Sequence, residues 1–192
     1  MKKISLIIIF TVTLIFAFTT QSCERDDICA ETTATTPQLI IRFYNVTSQE
    51  NTKNVTDLRA YGINNSGEEI VIPEVNILTT DSIALPLRTE ANEVRFVLHR
   101  NYAVDNNDTP DDPEDDFETG NPDIITVSYT TEQVYVSRAC GFKTIFNDLV
   151  FTIEEEVDDP DNDLGNWLQQ FIITATNNTV DDETAAHINI FH

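Results

Sequence analysis

Apolar residues open this chain in one long run and then recur in short, alternating runs. Ile4 to Phe18 is interrupted only by Ser5, Thr11 and Thr13 and is preceded by Lys2 and Lys3. Fifteen helical residues span about 22 Å, short of the roughly 30 Å hydrocarbon core of a bilayer. A basic start, an apolar stretch of this length and small residues after it describe a signal peptide over residues 1–22. A polar linker without period follows, closed by Pro37, which pushes Thr36 toward an extended conformation. From there, runs rich in β-branched and aromatic residues occupy 38–46, 55–63, 69–73, 82–87, 93–100, 123–130, 132–138, 145–153, 168–176 and 185–191.

Several of these runs alternate with period two. Val94, Phe96 and Leu98 oppose Glu93 and Arg95; Ile125, Val127 and Tyr129 oppose Thr126, Ser128 and Thr130; Phe171, Ile173 and Ala175 oppose Thr174 and Thr176. One polar and one apolar face is the pattern of antiparallel sheet with one side buried. Asn64-Asn65-Ser66-Gly67 reads as a hairpin turn between two runs. Thr130-Thr131 leaves room only for a tight connection. After the leader no segment holds a 3.6-residue period over three turns. The pattern predicts an all-β, antiparallel β-sandwich of about eight to ten strands, with a barrel as the rival. The expected organisation is a signal peptide over 1–22, an N-terminal tether over 23–37 and a single domain over 38–192.

Charge changes this picture in two places. Residues 105–123 hold nine acids, no Lys or Arg and three prolines, and residues 154–163 hold seven acids in ten positions. Low hydrophobicity with high charge predicts a mobile acidic loop at each. Without residues 1–22 the chain has 9 basic and 33 acidic residues, a formal charge of −24. Nucleic-acid binding needs a basic face and is disfavoured, as is adhesion to anionic lipid head groups through the protein surface. A solvated acidic surface is the ordinary reading, and cation binding is compatible with it.

There are three cysteines, Cys23, Cys29 and Cys140. Cys23 follows Thr20-Gln21-Ser22 directly after the apolar run, which resembles a lipobox. There a bacterial signal peptidase cuts, and the new N-terminal cysteine receives a diacylglycerol and an N-acyl chain of the palmitate type. Ser22 fits the small residue before the cut; Thr20 departs from the usual Leu. The alternative is an ordinary secretory signal. More than one acyl chain gives stable anchoring in a membrane. Glu24-Arg25-Asp26-Asp27 resembles the acidic export tag of Bacteroidota lipoproteins, which points to the outer membrane of the envelope and leaves the leaflet open. With Cys23 consumed, an oxidising compartment allows one pairing, Cys29 with Cys140, against the alternative of two reduced, buried thiols. The bridge would shorten the free tether from the lipid to six residues, about 20 Å at full extension.

Asp26-Asp27-Ile28-Cys29, Thr36-Pro37-Gln38-Leu39-Ile40-Ile41-Arg42-Phe43-Tyr44, Leu85-Pro86-Leu87 and Ser137-Arg138-Ala139-Cys140-Gly141-Phe142 together resemble one family. It is the set of Bacteroidota lipoproteins grouped as domain of unknown function 6452. The resemblance implies the address and the fold and transfers no catalytic residue. It also implies a setting beside outer-membrane β-barrel proteins as partners. Residues 105–123 look like an insertion relative to the family.

Candidate chemistry is sparse. His99, His187 and His192 are not spaced for zinc, and no Cys-x-x-Cys, His-Glu-x-x-His, phosphate-cradling glycine loop or Gly-x-Ser-x-Gly elbow occurs. His99 closes the 93–100 run, a position expected to be solvated. Carboxylates in flexible loops cannot hold the fixed spacing of a glycosidase. Asp159, Asp161 and Asp163 before Gly165 resemble the start of a calcium loop. Leu164 and Gln170, however, stand where the EF-hand pattern needs Gly and Glu. Asp81-Ser82-Ile83 resembles the O-glycosylation triplet of Bacteroidota, with Ser82 as acceptor, against an ordinary turn into a strand. Trp167 is expected to cover the end of the sandwich as core. The expected function is a non-enzymatic, cofactor-free accessory domain. It is anchored through Cys23 and binds another outer-membrane protein. The alternative is a glycan- or calcium-binding surface module.

Overall fold

The computed structural model describes residues 28–30, 33, 35–109, 113–154 and 165–192. Among them run eleven strands: β1 (Leu39–Asn45), β2 (Ser48–Thr52), β3 (Val55–Ile63), β4 (Glu69–Val71), β5 (Leu78–Thr80), β6 (Ser82–Leu85), β7 (Glu93–Asp105), β8 (Phe117–Ser137), β9 (Gly141–Ile153), β10 (Gln170–Ile173) and β11 (Ile188–Phe191). By packing, the described residues fall into two compact units, one holding residues 28–33 with 135–142 and the other holding the described residues of 34–134 with 143–192.

The larger unit holds two sheets. In the first, β1 is central: β11 takes one edge in parallel, β6 and β2 share the other in antiparallel pairing, and β10 extends the sheet beyond β11. The second sheet runs β4-β3-β7-β8-β9, with β5 also paired to β3. Alternation decides what each sheet buries. Leu39, Ile41 and Phe43 of β1 stand opposite Leu85, Ile83, Ile188 and Ile190. Val94, Phe96 and Leu98 of β7 stand beside Val127, Ile125 and Ala60. All of these join Phe146, Leu149 and Phe151 of β9 in one buried cluster supplied by both sheets. The expected all-β sandwich is therefore the architecture found.

The differences are instructive. The pair β1–β11 is parallel, because strands almost 150 residues apart in sequence are free of the hairpin constraint that forces antiparallel neighbours. β2 carries no apolar residue and is exposed along its whole length, so no hydrophobic pattern announced it. The expected break at Thr130-Thr131 is absent: β8 runs unbroken from Phe117 to Ser137. The expected acidic loop 105–123 is strand at its far end, where Ala103, Val104 and Asp105 pair with Thr119, Glu118 and Phe117. Ladder hydrogen bonds there outweigh an unfavourable composition, since the charged side chains stay in water. A bulge lies between Arg100 and Ala103, with Asn101 at φ 53°. Opposite it sits Gly120 at φ +115°, where a Cβ would stand 2.6 Å from the carbonyl oxygens of Arg100 and Asn101, so only glycine fits. Of the second acidic stretch, Glu154 is described and residues 155–163 lie outside the described residues.

Candidate functional site

The disulfide is the chemical centre of the smaller unit. Cys29 and Cys140 are joined with an S–S distance of 2.05 Å and Cα atoms 4.9 Å apart, across 111 residues of sequence. The turn after β8 is built to present Cys140: its N–H donates to Ser137 Oγ at 3.0 Å, and Gly141, at φ +70°, opens β9. Around this node stand three large side chains that no packing covers. Ile28 is 83% exposed, Tyr135 59% and Phe142 64%. The rings of Tyr135 and Phe142 meet edge to face, 5.5 Å between centroids.

In the larger unit the polar groups are instead absorbed by the fold. His99, expected in solvent, is buried, because β7 runs between β3 and β8, where His99 stands opposite Arg59 and Pro122; its ring lies edge-on to Tyr102 at 5.0 Å. His187 is buried between β1 and the strand it precedes. Its Nδ1 accepts the Ile40 N–H at 2.9 Å, so the proton sits on Nε2, which donates to the Asp182 carbonyl at 2.9 Å. His192 donates its backbone N–H to Tyr44 O and lies edge-on to Trp167 at 5.4 Å. Burial lowers the pKa of all three rings; the Asp182 carbonyl opposes this at His187 without reversing it. Trp167 belongs to the core, its indole N–H donating to Leu98 O at 3.2 Å.

Arg59 gathers the most elaborate surface cluster. Its guanidinium lies 4.8 Å from the ring centroids of both Tyr61 and Tyr102. It pairs with Glu69 and, at 3.3 Å, with Glu118, which also accepts the Tyr102 hydroxyl at 3.0 Å. Burial works against the Arg59 charge, but the hydrogen bond and charge of Glu69 outweigh it and raise the pKa. Each charge has its partner inside the cluster. A cleft of about 610 Å³ lies by the Asn64–Gly67 turn, lined in part by Arg88, Glu93 and Arg95. Glu154 holds the Arg95 guanidinium through two bonds of 2.7 Å, and this hydrogen bonding lowers the Glu154 pKa.

The remaining expected sites divide as follows. Cys23, Asp159, Asp161 and Asp163 lie outside the described residues. Ser82 opens β6 and donates its hydroxyl to Ile41 O at 3.2 Å, half-buried between strands. Among the described residues no group of three or more His, Cys, Asp or Glu side chains is placed to hold a metal ion. Sequence reasoning missed the exposed set Ile28, Tyr135 and Phe142; the one available signal was that all three flank the two cysteines expected to pair.

A family model described as a family of unknown function, DUF6452, matches residues 57–192, well over half of the chain. The chain belongs to this family. No curated protein and no solved structure matches it. The DUF6452 match takes in Leu85-Pro86-Leu87 and the turn with Cys140, and begins inside β3. The central strand β1, with fully buried Leu39, Ile41 and Phe43, and the partner cysteine Cys29 both precede it.

Proposed function

We propose that this DUF6452 chain is a lipid-anchored protein of the bacterial outer envelope. Its leader ends at Ser22, Cys23 carries the lipid, and the β-sandwich is a non-enzymatic accessory domain that binds another outer-membrane protein. One observation carries the reading. The disulfide takes Cys29 and Cys140, so Cys23 is the cysteine left over, directly behind the basic and apolar leader. A stable disulfide is the chemistry of an exported chain, and a cysteine at the end of such a leader is the acceptor that lipidation needs.

Mass spectrometry of the protein extracted from membranes tests the anchor. The expected result is an N-terminal Cys23 bearing a thioether-linked diacylglycerol and an amide-linked acyl chain. An unmodified Cys23 or an uncut leader overturns it. Crosslinking in intact cells tests the partner: one recurrent envelope protein is expected, and recovery of none counts against the accessory role. The rival glycan-binding reading draws no support from Tyr61 and Tyr102, whose ring faces are taken by Arg59.

A further inference from the structure

We propose that Ile28, Tyr135 and Phe142 form a membrane-contact patch that enters the interfacial layer of the phospholipid bilayer. The proposal rests on the anchoring of Cys23 argued above and adds a second, protein-made contact to it.

Four observations converge. The three side chains are the wrong chemistry for water and yet are more than half exposed. They surround one covalent node, because Cys29, next to Ile28, is bonded to Cys140 in the turn between Tyr135 and Phe142. Cys23 lies six residues before Cys29, so a lipid on it holds the node within about 20 Å of the bilayer surface even with the tether straight. The residue types suit that layer: tyrosine places an apolar ring below and a hydroxyl among the head groups, while Phe142 and Ile28 supply apolar surface.

Charge selects the occupant further. With a formal charge of −24 after the leader is removed, the protein is repelled by acidic head groups. The contact is therefore made through apolar and aromatic groups in a neutral bilayer and resists salt. A covering protein partner is the competing occupant, and vesicles of pure lipid separate the two.

The test uses the full lipidated protein carrying Tyr135→Trp, reconstituted into phosphatidylcholine vesicles with and without bromine on the acyl chains. Trp167, buried in the core and the chain's single natural tryptophan, is the internal reference; its emission is measured in the unsubstituted protein and subtracted. The introduced indole is expected to lose at least about twofold of its emission to brominated lipid, as an interfacial ring does. The loss should persist in about 1 M salt, where charge attraction is screened. Adding Phe142→Ser should reduce the quenching while Trp167 emission stays constant, which shows that the core is intact. The proposal is overturned if the introduced indole is quenched no more than Trp167 in protein whose mass shows lipid on Cys23; the anchor then stands and the patch belongs to a protein partner. If the mass shows Cys23 unmodified, the anchoring reading falls. The patch is then judged by the same quenching with vesicles added to the unlipidated chain, where loss of emission supports it and its absence overturns it.

Discussion

Strands β8 and β9 carry two tyrosine–phenylalanine pairs of nearly the same geometry and opposite surroundings. Tyr129 and Phe146 meet edge to face at 5.0 Å and are 3% and 0% exposed. Tyr135 and Phe142 meet edge to face at 5.5 Å and are mostly exposed. The first pair is locked in: the Tyr129 hydroxyl accepts the Arg88 N–H and donates to the Arg88 carbonyl, both at 2.9 Å, and burial raises its pKa. The second pair is gathered by a disulfide and left uncovered. Ring contact is thus the same local event in both places. What differs is burial: the first pair belongs to the core of the larger unit, and the second, in the smaller unit, stays largely exposed.

The comparison can be broken most sharply at Phe146. Phe146→Ala should cost about 3–5 kcal/mol, since it opens a cavity in a core that both sheets share; a denaturant midpoint close to that of the unsubstituted chain would deny that the pair is core. Removing the bridge with Cys29→Ser and Cys140→Ser together should cost about 2–4 kcal/mol by freeing the unfolded chain. Hydrogen exchange should then quicken around 135–142 and leave 125–129 protected.

Acid should act on the larger unit next. Unfolded histidine titrates near 6.5, and burial holds His99, His187 and His192 below that value in the native state. Between the two values the unfolded chain binds more protons, so stability rises with pH. The full stability is present above about pH 6.5 and is lost as pH falls through the lowered native values. Denaturant midpoints at successive pH values measure the slope. His187→Gln should flatten part of it, because protonating Nδ1 is what breaks the Ile40 contact; an unchanged slope would refute that assignment. Tyr129→Phe should cost about 1 kcal/mol, the worth of a typical internal hydrogen bond, read from the same midpoints. Smallest of all, Phe142→Ala should change stability by less than about 0.5 kcal/mol, as exposed substitutions do. A larger loss would mean that the exposed pair is structural after all.

How much of this was legible varies by residue. Val94, Phe96 and Leu98, and Ile125, Val127 and Tyr129, read correctly as buried faces, because period two in a half-buried strand leaves its mark on every second residue. β2 was illegible, since a strand exposed on both faces is held by backbone bonds that no side chain records. The far end of β7 and the start of β8 were masked by charge, because composition reports what a segment cannot bury and is silent on what its backbone can pair with. His99 was misread for a related reason: its place near the end of an apolar run suggests solvent, whereas β3 and β8 flank it on both sides.

The order of residues by itself determined the all-β architecture, the leader-like opening and the acidic composition, because these follow from alternation, length and charge; it offered the pairing of Cys29 with Cys140 against reduced thiols, and the folded chain joins them. Only the tertiary structure decided that β1 and β11 run in parallel, that Arg59 is shared by two tyrosines and two glutamates, and that Tyr135 and Phe142 are left uncovered. Those facts depend on which distant strands come together, and the energy that selects among partners lies in packing across the sheets, which no local pattern encodes.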